Sequence, residues 1–459
     1  AAAKHEATTQ RFIFCTGIEN SYPIITNLRG QQMRRDGLQL SEHYTHWRHD
    51  FRLVHDLGIH FLRYGPPYYK CHAGPMQYDW SFADKTFKVL RELGIEPITD
   101  LCHFGLPDWL GGSFQNADWP MLFAEYARAF AARFPWVRLY TPVNEIFICA
   151  QFSARNGWWN EQLKSERAFV LALKHMCRAT LLAEQAILQV RPNAQFIQSE
   201  SSTYFHSQIP EARDKAGFFN EWRFLALDLC YGREVNGSIY EYLNDNGLSR
   251  EEYHWFMTEG PKLRRHCIVG SDYYATNEKK VVNADGAIQL SGEVLGYYQI
   301  ARQYFERYRL PVFHTETNRK DDADAPRWLY KEWFNILRLK ADGIPVLGFT
   351  WYSLLDQTDW DVVLREDHER INPMGLYDLS RKIRAVGEAY RGLIQAWHDR
   401  IPLESLSRDL SPAKPGSTLR PKSGKRRRGD VAWLSRDGKP RPIKEHPPKP
   451  SRRKIEKAP

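Results

Sequence analysis

Two glutamates stand out for the company they keep: Glu145, preceded by Asn144 in TPVNE (141–145), and Glu316, in HTETN (314–318). Nearby segments add Arg63 in HFLRYG (60–65), His103 in LCHFGLPDWL (101–110), Tyr273 and Tyr274 in GSDYYA (270–275), and Trp351, Tyr352, Asp359 and Trp360 in WYSLLDQTDW (351–360). Two carboxyls sharing one mouth with an Arg, a His and several rings suit cleavage of a glycosidic bond. At a separation of about 5 to 5.5 Å, one carboxyl attacks while the other protonates the leaving oxygen and then activates water. Each residue also has a structural reading. His103 alone is more often a packing histidine, Arg63 neutralises a buried acid, and Trp158, Trp159, Trp351 and Trp360 fill space between helices and sheet.

These residues share a position, at or just after the C-terminal end of a short β-rich run. The runs are 12–16, 60–64, 97–102, 139–143, 196–199, 268–275, 312–315 and 346–351, and Glu19 and Asn20 follow the first of them. Between them lie amphipathic helical patterns at 42–57, 82–93, 121–134, 166–190, 293–309 and 328–341, with 383–398 closing the series. In ELGIEP (92–97) and ADGIPV (341–346) a Gly ends a helix and a strand follows at once. Eight strands separated by helices predict an α/β fold, a (β/α)8 TIM barrel over 11–404, whose strand ends converge on one site. An open doubly wound sheet is the competing architecture, but no G-x-G-x-x-G turn follows the first strand. In a barrel, strand ends four and seven lie across from each other, so Glu145 and Glu316 face one another.

With the residues placed, the chain resembles family 1 glycoside hydrolases of the β-glucosidase type over about residues 12–397. TPVNE is similar to the family's T-x-N-E, HTETN to T-E-N-G, YSLLDQTDW (352–360) to W-S-L-L-D-N-F-E-W, LCHFGLPDWL to L-x-H-W-D-L-P, GSDYYA to G-x-N-Y-Y, and HFLRYG to Y-R-F-S. The resemblance implies a retaining β-glycosidase that needs no cofactor or metal. Glu145 would be its acid/base, Glu316 its nucleophile, Asn144 the donor to the sugar 2-hydroxyl and His103 a contact to the neighbouring hydroxyl. Arg63 and Tyr274 would keep Glu316 charged and aimed, while Trp351, Tyr352, Asp359 and Trp360 would line the sugar site. Glu145, among rings and facing a second negative charge, would have its pKa pushed up. Glu200, in QSESS, matches no motif as an alternative acid. His206, Glu221 and Asp228 are candidates for the aglycone side.

The departures concern recognition of the sugar. SYPII (21–25) puts Pro23 where the family carries a Gln that grips two hydroxyls. Tyr352 replaces the platform Trp, Asp359 a Glu for the distal hydroxyls, Thr317 and Asn318 the Asn-Gly after the nucleophile, and Ile146 the Pro after the acid/base. The cleavage pair is kept and the glycone pocket is rebuilt. That leaves as alternatives a glycosidase or transglycosylase for a non-standard glycone or β-glucan, and a non-catalytic glycan-binding barrel.

Composition bounds the rest. The chain has 459 residues, 42% hydrophobic and 26% charged, with 15 Trp, 23 Tyr and 24 Phe, which excludes global disorder and collagen. No apolar run reaches the length of a membrane span. AAAKHEATTQ (1–10), read as an N-terminal extension, lacks a secretory h-region, so a cytoplasmic protein is expected. Seven scattered cysteines form no C-x-x-C pair and read as reduced core thiols. The net charge of +9 divides unevenly: residues 405–459 hold 17 Lys/Arg against 5 Asp/Glu, and residues 1–404 hold 47 against 50. The tail, rich in Pro, Lys and Arg, is expected to be disordered. A solvated extension and a weak contact to nucleic acid or an anionic surface are its two readings.

Overall fold

The computed structural model describes residues 12–401. The calls on the N-terminal extension and on the basic tail lie outside these residues. Eight strands form the centre: β1 (Ile13–Gly17), β2 (Phe61–Arg63), β3 (Glu96–Cys102), β4 (Leu139–Val143), β5 (Gln195–Gln198), β6 (Cys267–Asp272), β7 (Val312–Glu316) and β8 (Val346–Trp351). They close in the order β1-β8-β7-β6-β5-β4-β3-β2, every pairing parallel. Ile13 lies opposite Gly348 and Gly17 opposite Arg63, so β1 joins the two ends of the sheet. All residues of β1, β3, β4, β7 and β8 are buried, as expected for strands covered on one side by barrel filling and on the other by helices.

The helical layer consists of α1 (His43–Asp56), α2 (Ser81–Leu93), α3 (Trp119–Arg133), α4 (Glu166–Val190), α5 (Arg250–Leu263), α6 (Tyr297–Tyr308), α7 (Ala325–Ala341) and α8 (Ala385–Trp397). Gly94 ends α2 with φ 69°, and Gly343, one residue past the C-cap of α7, has φ 78°. Both glycines therefore take the left-handed turn that ELGIEP and ADGIPV predict.

Two stretches differ from the periodicity reading. The sixth strand stops at Asp272 rather than 275, because Asn277 folds back to accept the Tyr274 amide (2.8 Å) and to donate its own amide to the Tyr274 carbonyl (2.9 Å). Between β5 and β6, where the periodicity marks no helix, the chain forms helices Arg213–Trp222, Leu225–Tyr231 and Gly237–Asp245 as well as α5. The start of α5 carries a reciprocal Ser249–Glu252 capping box, a signature that SREE (249–252) does display. No helix among the described residues is long and apolar enough to cross a membrane.

Candidate active site

Glu145 owes its position to backbone geometry. The chain leaves β4 with the Asn144 amide bonded to the Cys102 carbonyl (2.9 Å) and the Glu145 amide to the Ser199 carbonyl (3.0 Å). Those bonds to the flanking strands hold Glu145 in a left-handed conformation, φ 40°, ψ 60°, at the head of the short helix Ile146–Ala150. A non-glycine residue there is strained at a cost of about 1–2 kcal/mol, which the fixed strand ends must offset. Glu200, at the end of β5, has its carboxyl against the Phe147 amide (3.3 Å) and also accepts from the Ser201 amide (3.2 Å). Its place is behind the Glu145 turn, as a cap on the short helix.

Glu316 ends β7. Arg63, from β2, donates to one of its oxygens, and the Tyr274 hydroxyl donates to the other at 2.6 Å. The same guanidinium reaches Asp100 at 2.9 and 3.0 Å and the Asn144 side-chain carbonyl at 2.7 Å. With its oxygen committed to Arg63, Asn144 turns its NH2 group toward Nε2 of His103, 3.2 Å away. Arg63, Asp100 and Asn144 are wholly buried. Four strand ends thus fix one another through a single planar cation.

The charges around the pair differ in sign. Burial raises Glu145 well above the ordinary carboxyl range, and the negative charges of Asp272, Glu316 and Glu200 push it the same way against Arg63. Asp272 is raised as well, by burial and by Glu316, while Ser199 Oγ lies 2.8 Å from each of its oxygens. Burial works against ionisation of Asp100, but Arg63 and His103 outweigh it and lower its pKa. The sequence reading passed over Asp272. Its signal was present, since GSDYYA carries an Asp where the pattern it resembles has Asn.

His103 lies in the wall of the same pocket. Its Nε2 is 3.5 Å from the Glu19 carboxyl and its Nδ1 3.5 Å from Asp100. Burial opposes charge on the imidazole, but these two acids win and raise its pKa. Tyr352 lies close by, its ring 5.2 Å from the Arg63 guanidinium carbon. A Cβ at position 17 would fall 2.1 Å from Cε2 of Tyr352, so this ring requires Gly17 at the end of β1.

Not all the expected sugar ligands have a free face. Trp351 is fully buried behind Tyr352 with its indole N–H on the Met374 carbonyl (3.0 Å), which makes it packing. Asp359 is also wholly buried: Arg35 donates to it at 2.7 Å, as do the amides of His368 (3.1 Å), Glu369 (2.9 Å) and Arg370 (2.8 Å). These amide donors belong to the loop that Asp359 organises. Trp360 is half-buried and forms an aromatic wall with Phe104 and Trp159. Glu221 and Asp228 both pair with Arg307, at 3.1 and 2.6 Å, and fasten helices together. His206 ends strand Tyr204–His206 of a three-stranded sheet with Glu278–Val281 and Ile288–Leu290.

Known proteins share sequence and fold with this chain. The model of glycosyl hydrolase family 1 matches residues 24–220. The 6-phospho-beta-glucosidase AscB of Escherichia coli (strain K12) is 26% identical over 361 residues, 69% of this chain and 76% of that protein. Beta-glucosidase A of Thermotoga maritima is 23% identical over 360 residues, 70% of this chain and 79% of its own. A solved structure of a beta-glucosidase from Thermotoga maritima, in complex with deoxynojirimycin, superposes with a TM-score of 0.71 at 18% identity, covering 84% of this chain and 97% of that one. The chain is thus similar to glycosyl hydrolase family 1, and these matches support a divergent relative of it.

Proposed function

We propose that the protein is a retaining β-glycosidase acting on O-glycosidic bonds of β-glucoside-like substrates, with Glu316 as nucleophile and Glu145 as acid/base. The observation that carries this reading is the unequal setting of two carboxyls that feel each other's charge. Glu316 accepts from Arg63 and Tyr274, which aim it as the nucleophile. Glu145 is held protonated by burial and by neighbouring acids, ready to give its proton to the leaving oxygen. Attack forms a glycosyl ester on Glu316 as the aglycone departs with that proton. The Glu145 carboxylate then takes a proton from water, which opens the ester with the β configuration restored. Asn144, fixed by Arg63, presents its NH2 group to the 2-hydroxyl.

The test is Glu316→Ala assayed on aryl β-glycosides with and without azide. Turnover should vanish and return with azide as an α-glycosyl azide, and proton NMR of the early wild-type product should show the β anomer. Unchanged turnover in the variant removes the assignment. A glycosidase or transglycosylase for a non-standard glycone is the second reading, favoured by Pro23 and by the occupied carboxylate of Asp359. A cytoplasmic setting agrees with seven buried thiols that form no disulfide.

A further inference from the structure

Glu19 has no part in the cleavage steps, yet it is an acid on the sugar side of the pocket. It follows β1, is 7% exposed, and points its Oε1 toward His103 Nε2 (3.5 Å) while accepting from the Ser21 amide (3.1 Å). Its Oε2 accepts from Gln357 at 3.0 Å. Oε2, with Gln357 as its one donor, retains a second acceptor site. Close by, the buried hydroxyl of Tyr352 has no protein partner among the described residues. Among the neighbouring cations, Arg35 pairs with Asp359 and Asp367 and Arg370 with Asp361, while Lys320 donates to the Trp360 carbonyl (2.7 Å) and keeps its charge.

We infer that Glu19 is the glycone-selecting residue of this enzyme. It accepts hydrogen bonds from sugar hydroxyls in place of the acceptor lost at Pro23, and its charge confines the site to uncharged or amino-bearing glycones while rejecting phosphorylated and uronic ones. The physical basis is twofold. A buried carboxylate oxygen that has one protein donor gains from a second, so a glycone lacking a hydroxyl there binds more weakly. Burial raises the Glu19 pKa while His103 lowers it, and once Glu19 is ionised a second anion brought beside it meets like charge in a medium that screens poorly. The inference rests on the glycosidase reading above.

The experiment compares wild type, Glu19→Gln and Glu19→Ala on p-nitrophenyl β-glucoside, its 6-phosphate and the β-glucuronide. Wild type should favour the neutral glycoside by at least about 100-fold in kcat/KM, consistent with like-charge exclusion. Glu19→Gln should lower kcat/KM for the glucoside, mostly through KM, and narrow that preference by about tenfold or more. A merely structural role, such as steadying His103, would depress all three substrates alike and leave the ratio unmoved, which overturns the inference. So does a wild type that prefers the phosphate or the glucuronide. If wild type cleaves none of the three, the glycosidase reading is the one that fails. Calorimetric binding of glucose against glucose 6-phosphate to wild type and Glu19→Gln then still decides the role of Glu19: loss of discrimination in the variant supports it, and equal discrimination refutes it.

Discussion

Glu200 offers a perturbation whose size follows from the structure. Burial pushes its carboxyl from the ordinary 4.5 up to about 8. A carboxyl raised in the folded state contributes stability in full below the unfolded pKa and loses it as pH rises toward the folded one, because the unfolded chain releases the proton first. At about 1.4 kcal/mol per pH unit, this one group removes about 4 kcal/mol between pH 5 and pH 8. Glu200→Gln keeps an acceptor for the Phe147 amide but cannot ionise. It should therefore erase this slope and leave the variant more stable than wild type at pH 8 relative to pH 5. Glu200→Ala removes the cap instead and should cost about 0.5–2 kcal/mol even at pH 5. Urea unfolding followed by tryptophan fluorescence at pH 5, 6.5 and 8 reads both effects. If the difference between wild type and Glu200→Gln is the same at all three pH values, Glu200 is not a buried neutral carboxyl and the reasoning fails.

Other outcomes follow from the same geometry. A general acid works below its pKa, so kcat/KM should fall as pH rises through the raised value of Glu145; Asp272→Asn removes a neighbouring acid and should move that alkaline limb to lower pH, and an unmoved limb contradicts the electrostatic account. Tyr274→Phe deletes the 2.6 Å bond to Glu316 and should lower kcat about 10- to 100-fold with the melting temperature little changed, which steady-state kinetics beside calorimetry will check. Asp359→Asn loosens a buried ion pair with Arg35 and should destabilise the fold by about 3–5 kcal/mol; a raised KM at unchanged stability would restore Asp359 as a sugar ligand. For residues 405–459, the basic excess predicts salt-sensitive retention on heparin, and equal retention of full-length and 1–404 chains at low ionic strength ends that idea.

By itself the sequence determined the barrel and the strand ends at which Glu145 and Glu316 stand. Strands covered on both sides write themselves as apolar runs, helices as 3.6-residue periods, and the site residues fall where the runs end. Hence 139–143 and 346–351 coincide with β4 and β8, and Glu145 and Glu316 stand at the mouth. Pattern reading was weakest from 200 to 266, where three short helices, one capped by Asn236, carry few turns and the longer α5 was missed as well. Only the tertiary structure decided which polar groups remain available. WYSLLDQTDW gives no hint that Trp351 is buried with its indole N–H on Met374 while Tyr352 meets Arg63, because consecutive residues leaving a strand point in opposite directions only relative to a fixed sheet. Nor does Asp359 reveal Arg35 as its partner, which lies 324 positions away. Glu19, Asp272 and Glu200 are single acids in unremarkable context. Their roles arise from burial and from neighbours that folding alone supplies, since the free energy of a charge depends on what surrounds it and not on where it stands in the chain.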